Sequence, residues 1–118
     1  MRFSIDASAA TPPFEQVRVQ VRDAVAAGEL IAGAKLPTVR ALAEQLGLAV
    51  NTVARAYREL EADSIIETRG RAGTFIAPQG DAGQQQAQVA AREFVERARR
   101  LGLDDEAALD LVLAAQRG

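Results

Sequence analysis

Three side chains rich in hydrogen-bonding groups fall on one side of a predicted helix. Asn51, Arg55 and Arg58 follow one another at spacings of four and three residues, which places them on one face at about 100° per residue. An amide can pair bidentately with the edge of adenine, and a guanidinium can pair with guanine. The pattern therefore predicts a helix that reads base edges, although solvated polar side chains are the usual occupants of such a face.

The helix that carries these residues is the second of a closely spaced pair within residues 36–60. Thr38 is suited to cap the first helix, and Gly47 is suited to end it in a left-handed conformation. Apolar residues three and four positions apart give each helix one buried side; they are Val39, Leu42, Ala43, Leu46, Val53, Ala56, Tyr57 and Leu60. Two short helices joined by a glycine turn predict a helix-turn-helix, with residues 50–62 as the helix that enters the major groove.

Elements on either side of this pair complete a larger unit. Residues 14–27 predict an amphipathic helix, and Phe3-Ser4-Ile5 alternates as a short strand would. Two β-prone runs at residues 65–68 and 74–77, joined by a glycine-containing loop, predict a hairpin. Three helices followed by a hairpin give the winged helix-turn-helix order over residues 1–80. Arg69 and Arg71 in the hairpin loop are suited to contact DNA, or they form a solvated turn.

Residues 81–118 predict two further amphipathic helices, one ending near Leu101 and one beginning after Asp104. Two helices of this size cannot bury their apolar stripes against each other alone, so the stripes pack on the first domain or on a second subunit. Packing on a second subunit is favoured, because a symmetric dimer that binds a palindromic DNA site needs an interface between its subunits. The residues predicted for it are Phe94, Ala98, Leu101, Leu109, Val112 and Leu113. The predicted fold class is thus mainly α with a small β-hairpin.

Composition excludes several classes of protein. The 118 residues include no Cys and no His, which removes disulfides, thiol catalysis, the usual zinc sites and nucleophile–His pairs. The acidic residues at positions 104–106 are better explained by helix capping and the helix dipole than by a metal. We therefore expect no enzyme, no metal and no cofactor. The absence of a long apolar run or a secretory signal predicts no membrane partner and a cytoplasmic location.

Net charge argues against nucleic-acid binding. The chain carries a charge of −2 with a pI near 5.2, whereas nucleic-acid binders are often basic. Residues 1–80 contain nine basic and nine acidic side chains, and residues 81–118 contain five basic and seven acidic ones. Because phosphate contacts supply most non-specific affinity, we expect weak non-specific binding and a need for dimerisation. The acidic pI also supports an alternative, in which the winged helix is a protein–protein interaction module.

Four segments of the chain resemble the GntR family of bacterial transcription regulators. They read FEQVRVQVRDAVAAGEL, LPTVRALAEQLGL, NTVARAYRELE and IIETRGRAGTFIA. The short two-helix C-terminal region is similar to that of the YtrA subfamily. The resemblance implies a homodimeric repressor that binds an inverted-repeat operator in its own promoter region, near genes for membrane transporters. The region after the wing is too short for a sizeable ligand pocket. A small effector molecule between the subunits stays open as an alternative, and no residue indicates its identity.

The resemblance also implies positions that face DNA. These are Arg40, Asn51, Thr52, Arg55, Gly73 and Thr74, to which the residue pattern adds Arg58, Arg69 and Arg71. Local alternatives exist for three of them: Arg40 is placed to pair with Glu44, Thr52 to act as a hydroxyl at a helix start, and Arg58 to pair with an acidic residue. Two departures from the family pattern are Val50, where relatives often have a polar residue or proline, and Arg71, where the wing pattern Gly-x-Gly-Thr-Phe has its first glycine; another glycine, Gly70, lies just before it.

Overall fold

The computed structural model describes the backbone of residues 1–118 and every side chain except those of residues 82 and 83. The chain divides into two units, residues 1–79 and residues 80–118. In chain order the elements are α1 (Pro13–Ala26), α2 (Val39–Leu46), α3 (Val50–Ala62), β1 (Ile66–Thr68), β2 (Thr74–Ile76), α4 (Ala82–Arg100) and α5 (Asp105–Arg117). The predicted fold class, mainly α with one hairpin, is confirmed.

The core of the first unit lies where α3 packs against both α1 and α2. Its largest fully buried side chains come from all three helices and from β2; they are Leu42, Leu60, Ile76, Val17, Val21 and Val53. Those on the helices belong to the apolar positions spaced three and four residues apart, so this spacing itself turns each helix towards the common core.

Local interactions fix both ends of α2 as predicted. The Thr38 hydroxyl accepts a hydrogen bond from the Ala41 N–H at 3.0 Å and caps α2. Gly47 ends α2 at φ 68°, a conformation that only glycine adopts without strain. Tyr57, a core residue of α3, donates its hydroxyl to the Pro37 carbonyl at 2.6 Å. Burial raises the pKa of Tyr57, so its hydroxyl remains a donor at neutral pH.

The wing, residues 66–76, is a two-stranded antiparallel hairpin in which Glu67 lies opposite Phe75. Its loop contains a one-turn 3₁₀ helix at Gly70–Ala72. The segment before α2 runs along the free edge of β2: the Leu36 N–H donates to the Thr74 carbonyl at 2.9 Å, and Lys35 forms a β-bridge with Phe75. The wing is therefore attached by its backbone to the entrance of the helix pair.

The strand predicted for Phe3-Ser4-Ile5 is wrong. Phe3 is buried as the alternation required, but glutamine side chains from α1 satisfy the extended backbone in place of a neighbouring strand. The Gln20 side chain accepts from the Ser4 N–H at 3.0 Å and donates to the Ser4 carbonyl at 2.7 Å. Gln16 makes the same pair of contacts with Asp6, at 2.8 and 3.0 Å.

The second unit consists of α4 and α5, each with an acidic N-cap. Asp81 and Gln84 form a reciprocal capping box at the start of α4, and Asp104 accepts from the Ala107 N–H at 2.8 Å at the start of α5. Among the described side chains of this unit, Ala98 and Ala108 are the buried ones. No described helix combines the length and apolar character needed to cross a bilayer.

Candidate nucleic-acid interface

The recognition helix α3 has one buried and one exposed side, as predicted. Asn51, Arg55 and Arg58 are exposed, whereas Val53 and Leu60 are inaccessible on the opposite side. Thr52 is half-buried at the first turn. Because α2 and α1 hold the buried side, the helix presents its polar side on a rigid support, which is what insertion into a groove requires.

The start of α3 has no side-chain cap. Ala49 occupies the N-cap position, and its carbonyl accepts from the Thr52 N–H at 3.0 Å. In the described part of the chain the N–H groups of Val50 and Asn51 have no acceptor. These free donors and the positive end of the helix dipole suit this terminus to a phosphate oxygen.

Arg55 is exposed but has partners within the chain. Its guanidinium stacks on the ring of Phe14 in α1, 3.7 Å from the ring centroid, and lies 4.0 Å from the Glu59 carboxylate. Glu15, next to Phe14 in sequence, accepts a hydrogen bond from Arg18, and this bond lowers the pKa of Glu15. The positive charge of Arg55 lowers the same pKa by a smaller amount. The Arg55 guanidinium is therefore already held against α1 and α3 in the free chain.

Arg58 and Arg40 are exposed and unpaired among the described residues. The ion pair with Glu44 that was the local alternative for Arg40 is not formed. Both guanidiniums are therefore available to an external anion without breaking an interaction in the free chain, which distinguishes them from Arg55.

The two arginines of the wing differ in the same way. Arg69 donates to the Glu67 carboxylate at 2.8 and 2.5 Å and stacks on Phe75, 4.5 Å from the ring centroid. Arg71 lies in the 3₁₀ turn at the tip, exposed and without an ion pair in the described residues. The free cation thus lies within the loop of the wing, and the paired one lies where β1 enters that loop.

Gly73 ends the loop at φ 115°, and Thr74 follows it as the first residue of β2. A Cβ built on Gly73 would lie 3.0 Å from the Lys35 side chain as well as requiring strained backbone. Glycine is therefore needed here for its backbone conformation, whereas the flexible, exposed Lys35 side chain could move away from a Cβ. Lys35 itself was missed by sequence reasoning, because a lone lysine before Leu36-Pro37 carries no pattern.

The residues predicted for dimerisation lie in the second unit. Five of the six remain exposed in the single chain: Phe94 (37%), Leu101 (70%), Leu109 (57%), Val112 (38%) and Leu113 (44%). Ala98 is already buried in the single chain, at 3% exposure. An apolar cavity of about 530 Å³ opens between α4 and α5, lined mainly by alanines, Phe94, Leu109 and Val112. The described residues contain no group of three or more acidic side chains that could hold a metal ion.

Comparison with known protein families identifies the chain. The family model described as "Bacterial regulatory proteins, gntR family" matches residues 13–76, which is more than half of the sequence. The chain belongs to the GntR family. The match runs from the start of α1 to the end of β2, so it contains the three helices and the wing described above.

Two relatives refine this assignment. The HTH-type transcriptional regulator Rv1152 of Mycobacterium tuberculosis is 57% identical over 99 residues, which cover 84% of this chain and 81% of that protein. The HTH-type transcriptional repressor YtrA of Bacillus subtilis is 46% identical over 74 residues, covering 62% of this chain and 56% of that protein. The chain is accordingly a YtrA-like GntR-family transcriptional regulator with a DNA-binding fold, and not an enzyme.

Solved structures agree with the assignment. YtrA of Sulfolobus acidocaldarius has a TM-score of 0.61 at 25% identity and covers 98% of this chain and 97% of its own. A transcriptional antiterminator of Listeria monocytogenes has a TM-score of 0.65 at 29% identity, with coverage of 98% and 90%. The N-terminal domain of AraR in complex with mutant ORR3 has a TM-score of 0.53 at 25% identity, covering 57% of this chain and 96% of its own.

Proposed function

We propose that the chain is a homodimeric repressor that binds an inverted-repeat operator and controls its own operon and adjacent transporter genes. Residues 1–80 form the DNA-binding domain, and residues 81–118 form the dimerisation region. The repressor role is supported by the name of the B. subtilis relative, and DNA binding by the AraR complex. Its site of action is the cytoplasm, where bacterial operators lie.

The observation that carries the proposal is the open polar side of α3. Asn51 and Arg58 project from it without an intramolecular partner in the described residues, beside a helix start with free N–H donors. Direct readout needs such groups on a rigid helix, and the uncapped terminus supplies a phosphate contact that sets the register. The proposed DNA contacts are Arg40, Asn51, Thr52, Arg55, Arg58, Arg69, Arg71, Gly73 and Thr74.

A second copy of the chain is the proposed partner of α4 and α5. Phe94, Leu109 and Val112 are exposed and line one apolar cavity, and exposed apolar surface of this kind is typical of an interface. Two recognition helices held this way would meet half-sites about 34–36 Å apart, one turn of DNA. We propose that the second copy, and not an effector molecule, covers the cavity beside Phe94.

Fluorescence anisotropy tests the proposal. The probes are labelled duplexes that tile the region upstream of the chain's own gene, with scrambled duplexes of equal composition, at about 50 and 200 mM salt. We expect one native duplex to bind tightly, with an affinity that falls steeply with salt because phosphate contacts release counterions. Salt-insensitive or absent binding to every duplex would contradict the proposal and favour the protein-interaction alternative.

Asn51→Ala tests base reading by α3. Loss of a bidentate amide–base contact should cost about 1–3 kcal/mol on the native duplex and relax discrimination at one base pair. Affinity for scrambled DNA should change little. Gln86→Ala, which removes an exposed amide from α4, is the matched control and should leave both affinities unchanged. Equal discrimination by Asn51→Ala and wild type would remove Asn51 from the readout.

A further inference from the structure

Lys35 belongs to the wing in space although it precedes α2 in sequence. Its backbone forms a β-bridge with Phe75, and the flanking residues Ala34 and Leu36 hydrogen-bond to Ile76 and Thr74 at 2.8 and 2.9 Å. Residues 34–36 therefore lie beside β2 as a third paired segment, and this pairing fixes the position of the Lys35 backbone. The position is therefore set by main-chain hydrogen bonds on both sides.

The side chain of Lys35 extends along the wing towards its loop. Its Nζ lies 6.0 Å from the centroid of the Phe75 ring, and its Cε would lie 3.0 Å from a Cβ built on Gly73. Lys35 is exposed, and the described residues give its ammonium no ion pair. An unpaired cation thus lies against the glycine that closes the wing loop.

Two cations lie against the same aromatic ring. The Arg69 guanidinium is 4.5 Å from the centroid of Phe75, so the ring has a guanidinium and an ammonium as neighbours. Glu67 pairs with Arg69 alone, and Arg71 adds a further positive charge at the tip. Glu67 forms an ion pair with Arg69, whereas the Lys35 ammonium and the Arg71 guanidinium have no ion pair among the described side chains.

We propose that Lys35 is a DNA-backbone contact of the wing: its ammonium binds the phosphate that the Gly73 loop approaches. The assignment rests on the proposed DNA-binding function. The exposed ammonium can bind an anion without breaking an ion pair in the free chain, and lysine binds phosphate as a point charge without selecting a base. Lys35 therefore contributes affinity, and it contributes no discrimination between sequences.

Lys35→Gln tests this assignment, because it removes the charge and keeps most of the stem. On the duplex that wild type binds, the slope of log K against log[salt] should become shallower by about 0.9, the value of one phosphate contact. Affinity should fall by the same factor on native and scrambled DNA. Lys35→Arg should restore both properties. Arg22→Gln, which removes one exposed cation from α1, should change the slope less than Lys35→Gln does.

Other outcomes separate this inference from the function on which it rests. If wild type binds with a steep salt dependence and Lys35→Gln keeps the wild-type slope, the phosphate contact is refuted and the repressor proposal survives. A loss confined to the native duplex would also refute it, because that result indicates base reading. If wild type shows no salt-sensitive binding to any duplex, the proposed function fails and the role of Lys35 fails with it.

Discussion

The two units of the chain use apolar side chains in opposite ways. In the first, large residues such as Leu42, Leu60 and Ile76 are inaccessible at the meeting of three helices and a hairpin. In the second, the buried side chains among those described are alanines, while Phe94, Leu109 and similar residues remain exposed. Because hydrophobic stabilisation follows the apolar area removed from water, the first unit has its own core, whereas the second leaves most of its large apolar side chains exposed in the single chain.

Among the variants that test this difference between the two units, Leu60→Ala should cause the largest loss of unfolding free energy. Removing a fully buried leucine from a closely packed core costs about 2–5 kcal/mol of unfolding free energy. Tyr57 is the sole tyrosine, the chain has no tryptophan, and Tyr57 lies in the same core, so its fluorescence during urea unfolding reports on the first unit. Leu111→Ala, at a leucine that is 50% exposed in α5, is the matched control. Equal losses in both variants would contradict the comparison.

Phe94→Ala should separate subunits without unfolding the first unit. Truncation of an aromatic anchor at an interface costs about 2 kcal/mol or more, which corresponds to a roughly 30-fold higher dimer dissociation constant. Sedimentation equilibrium measures that constant, and Tyr57 fluorescence should give an unchanged unfolding free energy. Val89→Ala, at another exposed apolar residue of α4, serves for comparison and should have a smaller effect. An unchanged mass distribution for Phe94→Ala would argue against this interface.

Removal of one helix cap from each unit should give the smallest effects. Thr38→Ala removes the cap of α2 and should lower the Tyr57-detected unfolding free energy by about 1 kcal/mol. Asp104→Ala removes the equivalent cap of α5 and should reduce helicity by circular dichroism while leaving the Tyr57 transition in place. A shift of that transition by Asp104→Ala would show that the second unit stabilises the first.

Much of this fold follows from short-range patterns. Apolar spacing of three and four residues predicted the helices, Thr38 and Gly47 predicted both ends of α2, and the glycine-containing loop predicted the hairpin. These signals succeed because capping, helix periodicity and left-handed turns depend on residues within a few positions of one another. The exposed side of α3 was predictable for the same reason.

Contacts between distant segments were not predictable. Arg55 stacks on Phe14, and Lys35 joins the wing, through packing that no local spacing encodes. The strand at Phe3-Ser4-Ile5 was wrong because alternation cannot distinguish a neighbouring strand from the side chains of Gln16 and Gln20. The sequence therefore predicted which residues are exposed at the candidate interface. It did not predict which of them already contact other residues of the same chain.

The alanine at the N-cap of α3 has a consequence for engineering. A serine or aspartate at position 49 would satisfy a free N–H and add about 1 kcal/mol of helix stability. The same side chain would take the donors that an approaching phosphate needs, and aspartate would also repel it. Selection for thermal stability alone would therefore favour serine or aspartate at position 49, giving a more stable protein that binds DNA less tightly.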